Sequence, residues 1–264
     1  MKYSFMSFST PALTLDEMFA TARRYGYAGI EPRIDSKHAH GIEVCMTPEQ
    51  RKSTQARIAG GDIKIACLAT SLSYADPAKT DDMITQTHER IDLAGDLAIP
   101  VIRVFGGKIP EGISREKAID LLVSSLLKVA DYAEERGVAV CLETHDDWCN
   151  PEHVAAVMQQ VNHAAIRVNW DIMHPARTGK VSIKNAFDTL KPWIRHVHIH
   201  DGTLSENLQF VPIGAGDIDH RSALELLKSI NFNGYLSGEW INWEPYDVHL
   251  PREIAIMKNY EKNL

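Results

Sequence analysis

The chain has 264 residues, 44% of them hydrophobic, with a formal net charge of −7 and a pI near 5.9. That length and apolar content suit one globular domain with a sizeable core, and the acidic balance argues against a nucleic-acid binder. No apolar run reaches the roughly 18 residues that span a bilayer, and MKYSFMSFST reads as a strand rather than a signal peptide, so a cytoplasmic protein without a membrane partner is expected.

Short β-rich runs alternate with longer helical runs eight times. KYSFMSF comes first, and Thr14 with Glu17 at capping-box spacing opens the helix after it. GIEPRI follows, then a second capping box of Thr47 and Gln50 with Pro48 at the first helical position. IKIACLAT and VIRVFGG are the third and fourth runs. From Ser114 to Arg136, Leu122, Leu126, Val129, Ala130 and Ala133 recur at helical spacing until Gly137 stops the helix. VAVCLETH precedes a helix start at Asn150-Pro151. IRVNWDI, IRHVHIHD and YLSGEW complete the strands, with Asp219 as an N-cap before the last.

Eight such units with no linker between them predict an α/β fold, a (β/α)8 TIM barrel forming a single domain over residues 1–264. An open doubly wound sheet would want a glycine-rich turn after the first strand, and Ser7-Phe8-Ser9-Thr10-Pro11 does not supply one. Cys45, Cys67, Cys141 and Cys149 show no CxxC spacing and are read as reduced thiols.

Side chains alternate along a strand. Glu143, Asp171, His198 and Glu239 therefore sit late in runs five to eight, 28, 27 and 41 residues apart. In a parallel barrel those strand ends converge on one mouth. Ionised groups aimed into a packed interior are costly unless paired or metal-bound. Three carboxylates and an imidazole there would hold a divalent cation; simple pairing with Arg103 or Arg195 is the plainer alternative. Oxygen-rich ligation with one His suits Mn²⁺ or Mg²⁺, with Co²⁺ and Zn²⁺ also accommodated.

His145 shares the Glu143 face and either reaches the site or bonds behind it. His196 lies deeper and reads as a core histidine. His38, His40 and His249 fall in expected βα loops and read as solvated. Gly106-Gly107 either lets a backbone approach a ligand or makes a sharp turn. Gly214-Ala215-Gly216 reads as a tight turn into a helix. Trp148, Trp170, Trp240 and Trp243 flank the quartet, for core packing or for stacking on a sugar.

LETH in the fifth run, WDxxH in the sixth, HVHxxD in the seventh, the GxGDID loop and GEW in the eighth resemble the xylose-isomerase-like sugar phosphate isomerase/epimerase superfamily. Ketose 3-epimerases, hydroxypyruvate isomerase, inosose dehydratase and endonuclease IV belong to it. The resemblance implies metal ligation by Glu143, Asp171, His198 and Glu239, with Glu143 and Glu239 as the acid/base pair. It makes His174 a contact to substrate oxygens, and His145 and His200 are taken as further substrate contacts. The implied activity is sugar isomerisation or epimerisation, by proton abstraction next to a carbonyl and an enediolate. A dehydratase acting on an inosose or keto-glycoside is the alternative, and an endonuclease IV-like phosphodiesterase a more distant one. The partner is then a small carbohydrate, and a homo-oligomer is compatible with the fold. Two departures weigh against a free-ketose epimerase. DGTLSENLQFVPIG carries no Arg, and Cys149 stands six residues after Glu143 where a carboxylate is expected. Position 200 is His where many relatives have Lys.

Overall fold

In the computed structural model, which describes residues 1–205 and 207–264, the strand runs close into a ring with the helices outside it. The ring strands are β1 (Lys2–Phe5), β2 (Gly29–Ile30), β3 (Lys64–Ile65 and Leu68–Ser73) and β4 (Val101–Phe105), then β5 (Ala139–Glu143), β6 (Ile166–Asp171), β7 (Ile194–Ile199) and β8 (Tyr235–Gly238). Seven hydrogen-bond in one parallel sheet, in the order β1-β8-β7-β6-β5-β4-β3. The gap between β1 and β3 is closed by β2. It pairs with the first segment of β3, and single bridges Met6–Glu31 and Arg33–Ala69 tie its continuation to both neighbours. This is the expected TIM barrel.

The second run, GIEPRI, forms a shorter regular strand than its composition predicts. Pro32 has no N–H to give to a ladder, so pairing is reduced to single bridges on either side of it.

Outside the ring lie α1 (Leu15–Tyr25), α2 (Pro48–Gly60), α3 (Thr80–Asp96), α4 (Arg115–Glu135), α5 (Pro151–Val161), α6 (Met173–Arg177), α7 (Ile183–Leu190), α8 (His220–Ser229) and α9 (Tyr246–Lys262). The caps read from the sequence are in place. Thr14–Glu17 and Thr47–Gln50 form reciprocal capping boxes, and Ser114, Asn150 and Asp219 each accept a backbone N–H of the first helical turn. The apolar stripe of α4 is buried as its spacing requires. None of the described helices is long and apolar enough to cross a membrane.

Strands covered on both faces explain the apolar runs. Val101, Ile102 and Val104 are buried, as are Val140 and Leu142. Cys67 and Cys141 pack with Val101 inside the ring, and all four cysteines are free. Gly106 and Gly107 serve the core rather than a ligand. A Cβ on Gly106 would overlap the Trp148 indole, whose Nε1 donates to the Gly107 carbonyl at 2.9 Å. Trp148, Trp170 and Trp240 are likewise core residues.

Two histidines expected in solvent are buried. His249 lies on α9 between Trp240 and Trp243. His40 uses both ring nitrogens, with Nδ1 accepting the Ile42 N–H at 3.0 Å and Nε2 donating to the Arg33 carbonyl at 3.2 Å. Burial pushes both down to about 4, helped at His249 by Arg252. The unfolded chain takes up these protons near its ordinary pKa of about 6.5, before the folded one does. The stabilisation is therefore complete above that value and falls as pH drops toward 4. Each histidine should account for about 2–3 kcal/mol lost between pH 7 and 4.5. Urea unfolding at the two pH values measures it. His40→Gln should show a shallower decline than the parent, and an equal decline would assign the loss to other groups.

Candidate active site

The ring brings the predicted quartet together. Strand pairing sets Asp171 beside His198, His198 beside Ser237, and Glu143 beside Asn169. Ligand atoms of Glu143, Asp171, His198 and Glu239 all lie within 4.8 Å of one another, and all four residues are buried. His198 Nδ1 is 2.7 Å from Glu143 Oε1 and 3.4 Å from Glu239 Oε2.

Each member is oriented by its own strand end. Asp171 Oδ1 accepts the backbone N–H groups of Met173 and His174 at 2.8 and 3.0 Å, where the chain turns into α6. Thr144 Oγ1 brackets the Asp171 backbone, accepting its N–H and donating to its carbonyl, both at 3.0 Å. Arg103 Nε stands 3.3 Å from Glu143 Oε2, so the arginine pairing considered for the carboxylates occurs at one of them. Its N–H is not aimed at that oxygen, which keeps no hydrogen-bond donor. Arg195 lies at the opposite end of the barrel, beside Lys2 and Tyr235.

The residues fit a divalent cation. Glu143 Oε2 and Asp171 Oδ2 are buried acceptors without an aligned donor. Three carboxylates and one imidazole span the separation expected of co-ligands about 2.0–2.6 Å from a shared centre. Electrostatics agree. Burial alone would lower the His198 pKa, but Glu31, Glu143 and Glu239 together lift it well above the usual range. Burial would raise Glu239, and His198 outweighs it, holding the carboxyl down at about 2. Asp171 is held far down in the same way, chiefly by His200 against burial. A cation would compete with the His198 proton for the same lone pair.

The three predicted substrate histidines form a row along one wall of the mouth. His145 meets His174 edge-on with ring centroids 4.5 Å apart, and His174 meets His200 at 5.5 Å. His145 Nδ1 lies 3.2 Å from Asp146 Oδ1. Burial would lower its pKa, but Asp146 and Glu143 raise it to about 9. His174 is lowered by burial, and His200 is raised by Asp171 against burial. His200 Nδ1 donates to the Glu239 carbonyl at 3.0 Å, and its Nε2 stands 2.8 Å from Asp171 Oδ2 without an aligned hydrogen bond. Phe210 continues the row at 5.5 Å from His200, with half-buried Trp243 beyond it. Cys149 faces away from this role. Its Sγ donates to the Asp146 carbonyl, and burial pushes the thiol up to about 12.

Two residues escaped the sequence-based site. Glu31, on the continuation of β2, accepts from His196 Nε2 at 2.7 Å and faces His198 Nε2 at 3.1 Å, so the core histidine His196 is a hydrogen-bond partner of a buried acid behind the site. The available signal was an acidic residue in a buried apolar run. Asp201 is the anchor of the GxGDID loop. Its Oδ1 accepts the N–H groups of Gly202 and Ile218, and its Oδ2 those of Gly214 and Gly216, at 2.8–3.3 Å. A Cβ on Gly216 would overlap that carboxylate. The tight turn is thus built around one buried acid. Glu206, in the same Arg-free segment, lies outside the described residues.

Comparison with known proteins agrees with this fold. L-ribulose 3-epimerase of Methylomonas sp. (strain DH-1) is 27% identical over 254 residues, covering 91% of this chain and 83% of that protein. Other curated relatives match over shorter stretches. This chain spans 54% of the length of the uncharacterized Methanocaldococcus jannaschii protein MJ1311, which is 26% identical over 57% of this chain, and 63% of a Xenopus laevis relative. Among solved structures, the probable 3-DHS dehydratase AsbF from Bacillus anthracis superposes with a TM-score of 0.81 at 19% identity, covering 98% of this chain and 99% of that one. The IOLI protein with a bound zinc atom gives 0.80 at 21% identity, covering 100% and 97%.

Asp201 yields a stability test. Asp201→Asn turns one acceptor oxygen into a donor that faces backbone N–H groups. A loss of about 2–4 kcal/mol is expected in urea unfolding. A loss under about 0.5 kcal/mol would mean that the loop holds its shape without the carboxylate. Residues 19–260 match the xylose isomerase-like TIM barrel family, and the chain belongs to it.

Proposed function

We propose that this protein, acting as one barrel domain over residues 1–264, is a cytoplasmic metal-dependent sugar isomerase or epimerase. It would work by proton abstraction next to a carbonyl of a keto-sugar or derivative. The observation that carries this reading is the convergence of Glu143 and Glu239 on one buried cluster from strands separated by two others. Glu143, Asp171, His198 and Glu239 would hold the cation, with Mn²⁺ or Mg²⁺ favoured by the oxygen-rich set and Co²⁺ or Zn²⁺ acceptable. When bound, the cation supplies Lewis-acid stabilisation of negative charge on substrate oxygen, worth several kcal/mol.

The chain's own groups do the rest. One glutamate starts ionised and removes the proton α to the carbonyl, and the C–H electron pair moves into an enediolate. The other glutamate starts protonated and delivers its proton from the opposite side. Return to the same carbon gives an epimer, and return to the neighbouring carbon, with the hydroxyl proton passing from one enediolate oxygen to the other, gives an aldose–ketose isomer. The depressed pKa of Glu239 supports its role as an ionised partner. His145, His174 and His200 line one wall and would contact substrate oxygens, and buried Trp148 and Trp240 behind the site help to exclude water.

A dehydratase on an inosose or keto-glycoside shares the first step. It stands as the second reading because the Arg-free loop and Cys149, whose raised pKa unfits it to replace a carboxylate base, depart from the free-ketose epimerase pattern.

Solvent deuterium exchange into a panel of keto-sugars tests the shared step. Glu143→Gln should abolish α-exchange from the epimer for which Glu143 is the base and leave some exchange from the other. Each Glu→Gln change should cost about 10²–10⁴-fold in turnover. Metal content is measured in parallel, because weakened ligation would mimic lost acid/base help. Full turnover by a metal-loaded Glu143→Gln/Glu239→Gln double variant would rule the two-glutamate mechanism out.

A further inference from the structure

We infer that Glu31 is a positioning residue for the cation site. Its carboxylate holds the His198 ring with the proton on Nε2 and so presents the Nδ1 lone pair to the centre of the quartet. The inference rests on the cation reading under Proposed function. It concerns a residue outside the four ligands.

Glu31 is fully buried inside the ring between two imidazoles of β7. Its Oε1 is 3.1 Å from His198 Nε2, and its Oε2 is 2.7 Å from His196 Nε2. A carboxylate only accepts, so both facing nitrogens carry protons. On His198 that leaves Nδ1 as the position where a cation would replace the second ring proton. It stands 2.7 Å from Glu143 Oε1 and 3.4 Å from Glu239 Oε2, at the centre of the quartet, with the Asn169 side-chain amide nitrogen 3.2 Å away. Glu31, His196 and His198 are close enough to form a cation site of their own. However, the ring nitrogens turned toward Glu31 are occupied by N–H groups, so this trio reads as a support. His196 takes the second oxygen and keeps the carboxylate from rotating away. The result is a carboxylate–histidine–metal arrangement, in which the outer carboxylate fixes ring orientation and tautomer.

Glu31→Gln separates this role from mere packing. The amide has nearly the same shape but only one acceptor for two N–H groups. With its oxygen on His196, its NH₂ meets His198 Nε2, and the ring proton must move to Nδ1, closing the metal-binding lone pair. Mn²⁺ affinity of the full chain, measured by titration calorimetry, should weaken about 10–100-fold. In Glu31→Gln/His196→Phe the amide oxygen is free to turn to His198, and most of that loss should be recovered. A purely structural role would not be rescued by a second core substitution. In ¹⁵N-histidine-labelled, Zn²⁺-loaded wild-type protein, the His198 ring proton should be found on Nε2.

Mn²⁺ affinity of Glu31→Gln within about twofold of wild type would overturn the inference, as would a His198 ring proton on Nδ1. Failure of wild type to bind any divalent cation is a different pattern. It would bring down the cation reading and this inference with it. If Glu31→Gln does not fold, the wild-type ring-proton measurement decides.

Discussion

Everything at the mouth of this barrel follows from negative charge gathered where water is excluded. Glu31, Glu143, Asp171 and Glu239 are all buried, and the imidazoles of His196, His198 and His200 and the Arg103 guanidinium are set against them. An uncompensated charge in a protein interior costs several kcal/mol. A ring of parallel strands cannot avoid bringing these groups together, because the inward positions at the ends of β5 to β8 face one axis. The barrel tolerates the cluster only while something positive stays at its centre. In the bare chain that is a proton on His198, and the quartet's spacing offers the same place to a divalent cation. The outer parts of the site serve this requirement. Thr144 and the start of α6 fix Asp171, Glu31 fixes His198, and Asp201 folds the loop that covers the seventh strand.

Much of this was legible in the sequence, for identifiable reasons. The period-two alternation of LETH, VNWD and HVHIH puts acids and imidazoles on an inward face, and capping boxes mark where helices interrupt the strands. Position in the strand then says which end of the barrel each residue occupies. Glu31 escaped because Pro32 breaks its run and its partner His196 is 165 residues away, a distance over which a sequence shows no pairing. Asp201 was visible as a motif letter but not as an anchor, because its partners are backbone N–H groups that carry no sequence signature. His40 and His249 were misplaced for a related reason. Loops and helix starts around a barrel mouth pack on one another, so a position between strands does not mean exposure.

The glycine pairs teach a narrower lesson. Gly106-Gly107 and Gly214-Ala215-Gly216 look alike as letters and could each suggest a ligand cradle. In the fold, the first makes room for the Trp148 indole, and the second wraps the Asp201 carboxylate. Each glycine is required by a close approach from its own chain. A lone GxG or GG therefore marks crowding, and the crowding group must be identified before a ligand is invoked.

The quartet and the histidine wall answer different questions. Four ligands and two glutamates would make α-proton abstraction feasible, and that step is common to epimerase, isomerase and dehydratase. What happens to the enediolate depends on the groups that hold the remaining substrate oxygens. On the proposed reading those groups are the imidazoles of His145, His174 and His200, which sit in three different surroundings. Asp146 and the nearby acids push His145 up, burial pushes His174 down, and His200 is tied to the Glu239 carbonyl and lies beside Asp171. Phe210 and Trp243 extend the wall with apolar surface. On the proposed reading, the identity of the product is set along this wall, and the metal-binding quartet is the part of the site that need not change when the product does.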